Sequence, residues 1–271
     1  MPIRLDPKTV LPDMRVTQEA SNEGGEIMLR SVKSFKRFRL KATDGDIGHV
    51  HDMYFDDKAW TVRYLVAETG NWLSDKKVLI SPASLHEPLW ESHELAVSLS
   101  KEQIKNSPDI SEDLPISKQK ESELAEYYDW PVYWPVGHTG VPPHIGVMKK
   151  TVGVPGEKEQ GGDPNLRSFR EVDGYDCHAT DGDFGHVDDF IIEDTSWIIR
   201  YLVIKTRIIL PGKKVLLSPM WAEKIIWSER KIHLSMTKEA IEKSPEYNPK
   251  EAINRTFEEE LYDYYGRPVY W

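Results

Sequence analysis

Phe38, Leu40 and Ala42 alternate with Arg37, Arg39 and Lys41, the period of a strand with one buried face. Asp44-Gly45 follows, a strong hairpin signal, because glycine takes positive φ without steric cost. Gly48 and Val50 open the return strand. The apolar phase then shifts to Met53 and Phe55, which predicts a bulge or a strand buried in part on both faces. Residues 60–67 are long and β-prone. Residues 78–80 form a short strand ended by Pro82, and Leu95, Val97 and Leu99 alternate once more. Ser100 with Gln103 fits a capping box on a short helix that ends near Ser107-Pro108. Residues 123–128 predict one or two helical turns before an extended aromatic run, 129–134.

The whole pattern then returns. Asp44 and Asp181 are 181 − 44 = 137 residues apart, and the same spacing maps 60–66 onto 197–203 and 76–82 onto 213–219. It also maps Pro131-Val132-Tyr133-Trp134 onto Pro268-Val269-Tyr270-Trp271, and no gap is needed from Arg30 to Trp134. The chain therefore reads as a tandem duplication of a module of roughly a hundred residues. Its segments are an N-terminal arm (1–29), a first module (30–134), a Gly/Pro-rich linker (135–166) and a second module (167–271). Short strands, close hairpin signals and few helices predict a mainly β fold: two small, closed or nearly closed barrels related by an approximate two-fold axis, with short helices and aromatic tails at the module ends.

Composition narrows the function. A net charge of −10 disfavours nucleic acid, whose phosphates call for clustered Lys and Arg. Cys177 is the only cysteine, so an internal disulfide is impossible, which fits a reducing compartment. It aligns with Leu40, the place of a small buried apolar residue and not of a nucleophile. Residues 1–6 carry no apolar core of signal-peptide type, and no run approaches the ~18 apolar residues of a membrane span. The expectation is a soluble, cytoplasmic protein without membrane insertion.

Four sets of repeated residues are candidates for chemistry. Asp44, Asp46 and His49 recur as Asp181, Asp183 and His186; such a group can bind a metal or relay protons. The plainer reading is turn chemistry beside a strand histidine. His51 is replaced by Asp188, and zinc-type spacing is missing, so neither a cofactor nor a tightly bound transition metal is expected. Asp52 and Arg63 recur as Asp189 and Arg200. If Phe55 pairs with Trp60, Asp52 faces Arg63 in a cross-strand ion pair; the alternative is an arginine that binds an anion. Trp90 and Trp227 are shared aromatics best suited to packing. The tails carry Tyr127, Tyr128, Tyr133 and Trp134 in one copy and Tyr264, Tyr265, Tyr270 and Trp271 in the other. A frayed tail of this kind would expose a large apolar area, so each is expected to pack on a barrel. Exchange between barrels is favoured over packing on the tail's own barrel.

Residues 40–85, with the Asp44-Gly45 hairpin, Gly48-His49-Val50, Arg63-Tyr64-Leu65-Val66 and Val78-Leu79-Ile80-Ser81-Pro82, resemble the PRC-barrel domain family, and 179–222 resemble it again. The resemblance implies a small barrel of about five or six strands in a bacterial two-barrel protein. It also implies a tendency to act as an adaptor between macromolecules. The family's proton-conducting role in the photosynthetic reaction centre is not carried over to Asp44 or His49. With neither a phosphate loop, a nucleophile elbow nor an HExxH helix, the expected function is non-enzymatic: protein–protein interaction or assembly, the partner being another protein or the chain itself. The alternative is a small-ligand or metal-binding protein that uses the Asp/His cluster.

Overall fold

The structure is a computed structural model that describes residues 27–36, 38–73, 76–108, 116–131, 163–207 and 212–271. Tyr133 and Trp134, and most of the arm and linker segments, lie outside the described residues. In the first half the elements are β1 (Leu29–Ser31), α1 (Val32–Phe35), β2 (Arg39–Ala42), β3 (Gly45–Asp56), β4 (Thr61–Glu68), β5 (Lys77–Ile80), β6 (Glu94–Ala96), α2 (Lys101–Lys105) and α3 (Lys118–Tyr128). The second half contains β7 (Leu166–Ser168), α4 (Phe169–Val172), β8 (Asp176–Ala179), β9 (Gly182–Glu193), β10 (Ile199–Thr206), β11 (Lys214–Leu217), β12 (Ala222–Ile226), β13 (Lys231–Leu234), α5 (Lys238–Glu242) and α6 (Arg255–Tyr265).

The fold is mainly β, with two mixed sheets and a few short helices. One sheet runs β5-β4-β3-β2-β6 and the other β11-β10-β9-β8-β13-β12. The β2–β6 and β8–β13 pairs are parallel; their other neighbours are antiparallel. Alternation builds β2 as the pattern predicts, with Leu40 and Ala42 buried and Arg39 exposed. The β2–β3 hairpin closes with Ala42 paired to Gly45, which sits at φ +140°. Gly48 answers a different need. A Cβ there would lie 1.9 Å from the Glu68 carbonyl oxygen, and one at Gly185 would lie 2.4 Å from that of Lys205. Only glycine allows β3 and β4, or β9 and β10, to approach so closely.

The predicted bulge is present: the β3–β4 register shifts after Val50 and again after Tyr54. Met53, Tyr54 and Phe55 are all buried, and Phe55 packs both on Trp60 of its own half and on Phe169 and Phe190 of the other. The capping box also forms. Gln103 N–H donates to Ser100 Oγ at 3.2 Å, and Ser100 N–H donates to Gln103 Oε1 at 2.8 Å. Helices α3 and α6 run 11 residues each, longer than the one or two turns expected. Ser117 and Asn254 cap them earlier than the apolar pattern begins, accepting from Lys120 N–H at 3.3 Å and Phe257 N–H at 2.9 Å. Among the described residues, no helix is long and apolar enough to cross a membrane.

The two halves share their short lead-in strands reciprocally. β1, from the first half, pairs with β9 of the second, Leu29 opposite Glu193 and Ser31 opposite Ile191. β7, from the second half, pairs with β3 of the first, Leu166 opposite Asp56 and Ser168 opposite Tyr54. A second reciprocal contact lies where β4 and β10 begin. Val62 N–H donates to Trp197 O at 2.9 Å, and Ile199 N–H donates to Trp60 O at 2.7 Å. Both tryptophans are left-handed, at φ +51° and +60°, a conformation that bulky residues hold only where the surroundings impose it. Phe55, Phe169 and Phe190 pack together at the junction, with ring centroids 4.4–5.8 Å apart. Buried apolar side chains from both halves form one continuous cluster.

Candidate functional site

The repeated Asp/His residues sit at the two hairpin turns. Asp44 and Asp181 are exposed, and each accepts a backbone hydrogen bond from the first residue of the helix beside it, Lys101 and Lys238, both at 2.8 Å. A carboxylate at this position offsets the unpaired N–H groups of the first turn. His49 Nε2 lies 3.3 Å from Glu68 Oε2. In the second half the residue opposite His186 is Lys205, so the pairing changes. There Asp183 contacts His178 Nδ1 at 2.5 Å instead. His178 stacks on His233, centroids 5.0 Å apart. Among the described residues, no group of three or more His, Cys, Asp or Glu side chains is placed to hold a metal ion. Cys177 is buried and free, and burial pushes its thiol pKa up, which makes it a poor nucleophile.

Asp52 and Asp189 are differently placed from the expected ion pairs. Asp52 accepts hydrogen bonds from the Ser168 hydroxyl and from Arg170 N–H at 3.3 Å, both on the lead-in of the other half. Asp189 accepts from the Ser31 hydroxyl and from Lys33 N–H at 3.1 Å. Each carboxylate thus caps, from across the junction, the helical turn that follows β7 or β1. Each also accepts from the next residue of its own strand, Met53 or Phe190, at 2.8 Å. Burial holds both carboxyl pKa values above the usual range, against the opposing pull of these hydrogen bonds.

The Asp52–Arg63 and Asp189–Arg200 pairs are therefore a correction. The bulges in β3 place Asp52 opposite Val66 and Tyr54 opposite Tyr64, so the assumed pairing of Phe55 with Trp60 is out of step. Arg63 reaches Asp56 at 3.8 Å, and Arg200 reaches the equivalent Glu193 at 2.6 Å.

A second clamp was not singled out from sequence. Arg30 on β1 contacts Asp194 at 3.4 Å, and Arg167 on β7 contacts Asp57 at 3.0 Å. Each guanidinium also lies over a tryptophan of its own half, Arg30 over Trp90 at 4.2 Å and Arg167 over Trp227 at 4.6 Å. The planar ion thus meets a carboxylate on one side and a ring face on the other, a geometry suited to arginine. The signal was present in the repeat: Leu-Arg-Ser is identical at 29–31 and 166–168.

The tails give a second correction. The C-terminal tail stays on its own half and is not exchanged. The Tyr270 hydroxyl donates to Glu258 Oε1 at 2.8 Å, beside the Tyr201 hydroxyl at 2.7 Å. Arg200 lies over the Tyr270 ring and Arg255 over Trp271, each at 4.0 Å. In the first half Trp130 does the same locally, stacking on Tyr128 at 4.4 Å and donating to Ser84 Oγ at 2.6 Å. Tyr64 donates to the buried Glu121 at 2.9 Å, as Tyr201 does to Glu258. Burial and the neighbouring carboxylate raise both phenol pKa values. These buried Tyr–Glu pairs anchor α3 and α6 and were not read from sequence. Tyr127 and Tyr264, in contrast, occupy equivalent exposed positions at 42% and 41% exposure.

A small cleft opens at the junction, lined by both lead-in turns and by His51, Asp52, Asp188 and Asp189. Arg170 Nη1 lies 2.5 Å from His51 Nε2. Arginine can only donate, so this nitrogen accepts and Nδ1–H faces Glu68 Oε2 at 3.2 Å. None of Asp44, Asp46, His49, Asp181, Asp183 or His186 lines the cleft.

Residues 41–88 match the PRC-barrel domain family. The match begins within β2 and takes in β3, β4 and β5, so the acceptor carboxylates Asp52 and Asp57 both lie within the PRC-barrel segment. No curated protein matches the chain.

Proposed function

We propose that this is a non-enzymatic, cytoplasmic bacterial adaptor made of two tandem PRC-type barrels related by an approximate two-fold axis. The paired sheet orders and the reciprocal lead-in contacts support that arrangement. The observation that carries the functional reading is where the repeated residues lie. Asp44 and Asp181 sit on separate exposed turns, each accepting from the start of a helix, and none of the repeated Asp/His residues lines the junction cleft. Asp52 and Asp189 are spent on joining the halves. A binding module needs exposed aromatic surface more than a convergent titratable set. Tyr127 and Tyr264 supply such surface twice, once on each half, and the expected partner is a protein.

The test is affinity capture from native cell extract with the wild type and with a Tyr127→Ser/Tyr264→Ser double variant. A protein held by the wild type and lost by a variant with unchanged thermal midpoint supports the adaptor. Equal retention by both, or recovery of a metal or small ligand in place of a protein, contradicts it.

A further inference from the structure

Each half carries the same donor and the same acceptor at the junction. The donor is the Leu-Arg-Ser lead-in with the helical turn behind it. The acceptor is a pair of carboxylates, Asp189 with Asp194 in one half and Asp52 with Asp57 in the other. The backbone ladder continues the match: Asp194 N–H donates to Met28 O at 3.1 Å, and Asp57 N–H donates to Asn165 O at 2.8 Å. Nothing in this set separates a lead-in of the same chain from one supplied by a second copy.

The connection between the halves has slack. Asp163 N–H donates to Ile116 O at 2.8 Å, immediately before α3, and the described first half ends at Pro131, just after α3. The segment 132–162 therefore has only the length of one helix to span, about 16 Å at 1.5 Å per residue. Fully extended, it can reach roughly 100 Å.

We propose that two copies of this chain form a closed dimer by exchanging whole halves. The first half of each copy docks on the second half of the other, through the junction contacts described above. Every such contact is retained, and only the path of 132–162 differs, which makes the exchange a low-cost route to a dimer. The tether keeps the halves of one chain at an effective concentration on the order of mM, so the dimer grows in as protein concentration approaches that range. This inference concerns the junction and does not depend on the adaptor reading, which concerns the exposed tyrosines.

The experiment uses the full chain with a site-specific protease sequence in place of residues 150–156. Natural-abundance and nitrogen-15-labelled copies are unfolded together in urea and refolded together at near-millimolar concentration. A second sample is mixed folded and incubated at the same concentration, so that poor refolding does not decide the result. The expected product is a mixed dimer by gel filtration. After cutting, it should fall into particles of single-chain mass in which a light half is bound to a heavy half by native mass spectrometry. No mixed dimer in either sample, or a dimer that keeps two-chain mass after cutting, overturns the proposal.

Discussion

Asp52 and Asp189 show how a single residue can be legible in sequence and still be misassigned. Their repetition marked them as important, but bulges in β3 moved Asp52 away from Arg63, and its partners lie more than a hundred residues away. Alanine at position 52 would leave the Ser168 hydroxyl and the Arg170 and Met53 N–H groups without their acceptor. The Ser168 and Met53 bonds are partly buried and the Arg170 bond is exposed, so a loss of roughly 1–3 kcal/mol is expected in denaturant unfolding, and asparagine should cost less. The pH dependence has a definite sign. Burial raises both carboxyl pKa values in the folded state, so their contribution is full below the unfolded value of about 3.9. It is lost as pH rises through the folded value. The wild type should therefore gain most over an Asp52→Asn/Asp189→Asn variant near pH 4 and least at pH 7. A difference that grows with pH would mean that the carboxylates are stabilised as anions. Gly48 makes a sterically simpler case. A Cβ 1.9 Å from a carbonyl oxygen, at φ +120°, should make Gly48→Ala far more damaging in thermal unfolding than Gly45→Ala, whose Cβ meets only the Lys101 side chain at 3.8 Å.

Among the elements, those with local causes were the readable ones. Alternation placed β2, the phase shift placed the bulge in β3, and the Ser100–Gln103 pair placed α2. α3 and α6 were underestimated because their first turns are polar and are held by Glu121 and Glu258, buried acids bonded to tyrosines on distant strands. β1 and β7 were missed as strands because three residues are too short to show a period, and their pairing partners lie in the other half. The C-terminal tail was assigned to the other half, whereas Glu258, Arg200 and Arg255 of its own half receive it. Deleting 268–271 removes the Tyr270 hydrogen bond and three arginine–aromatic contacts. A loss of about 2 kcal/mol would lower the thermal midpoint by roughly 4–8 °C. An unchanged midpoint would show that the tail adds nothing to stability.

At the scale of the whole molecule, the recurrence of residues at a spacing of 137 was plain in the sequence, but the joint between the two halves was not. The chain reads as two modules on a linker, whereas each sheet is extended by a strand from the other half. The reciprocal clamps of Arg30 on Asp194 and Arg167 on Asp57 lock the exchange. The central claim is that these contacts, and not the covalent connection, hold the halves together. The most direct measurement is gel filtration of the chain at micromolar concentration after a site-specific cut within residues 135–162. One particle near the intact mass of 31.3 kDa is predicted for the wild type, with separation into halves for an Asp52→Ala/Asp189→Ala variant. Halves that part on cutting the wild type would contradict the account.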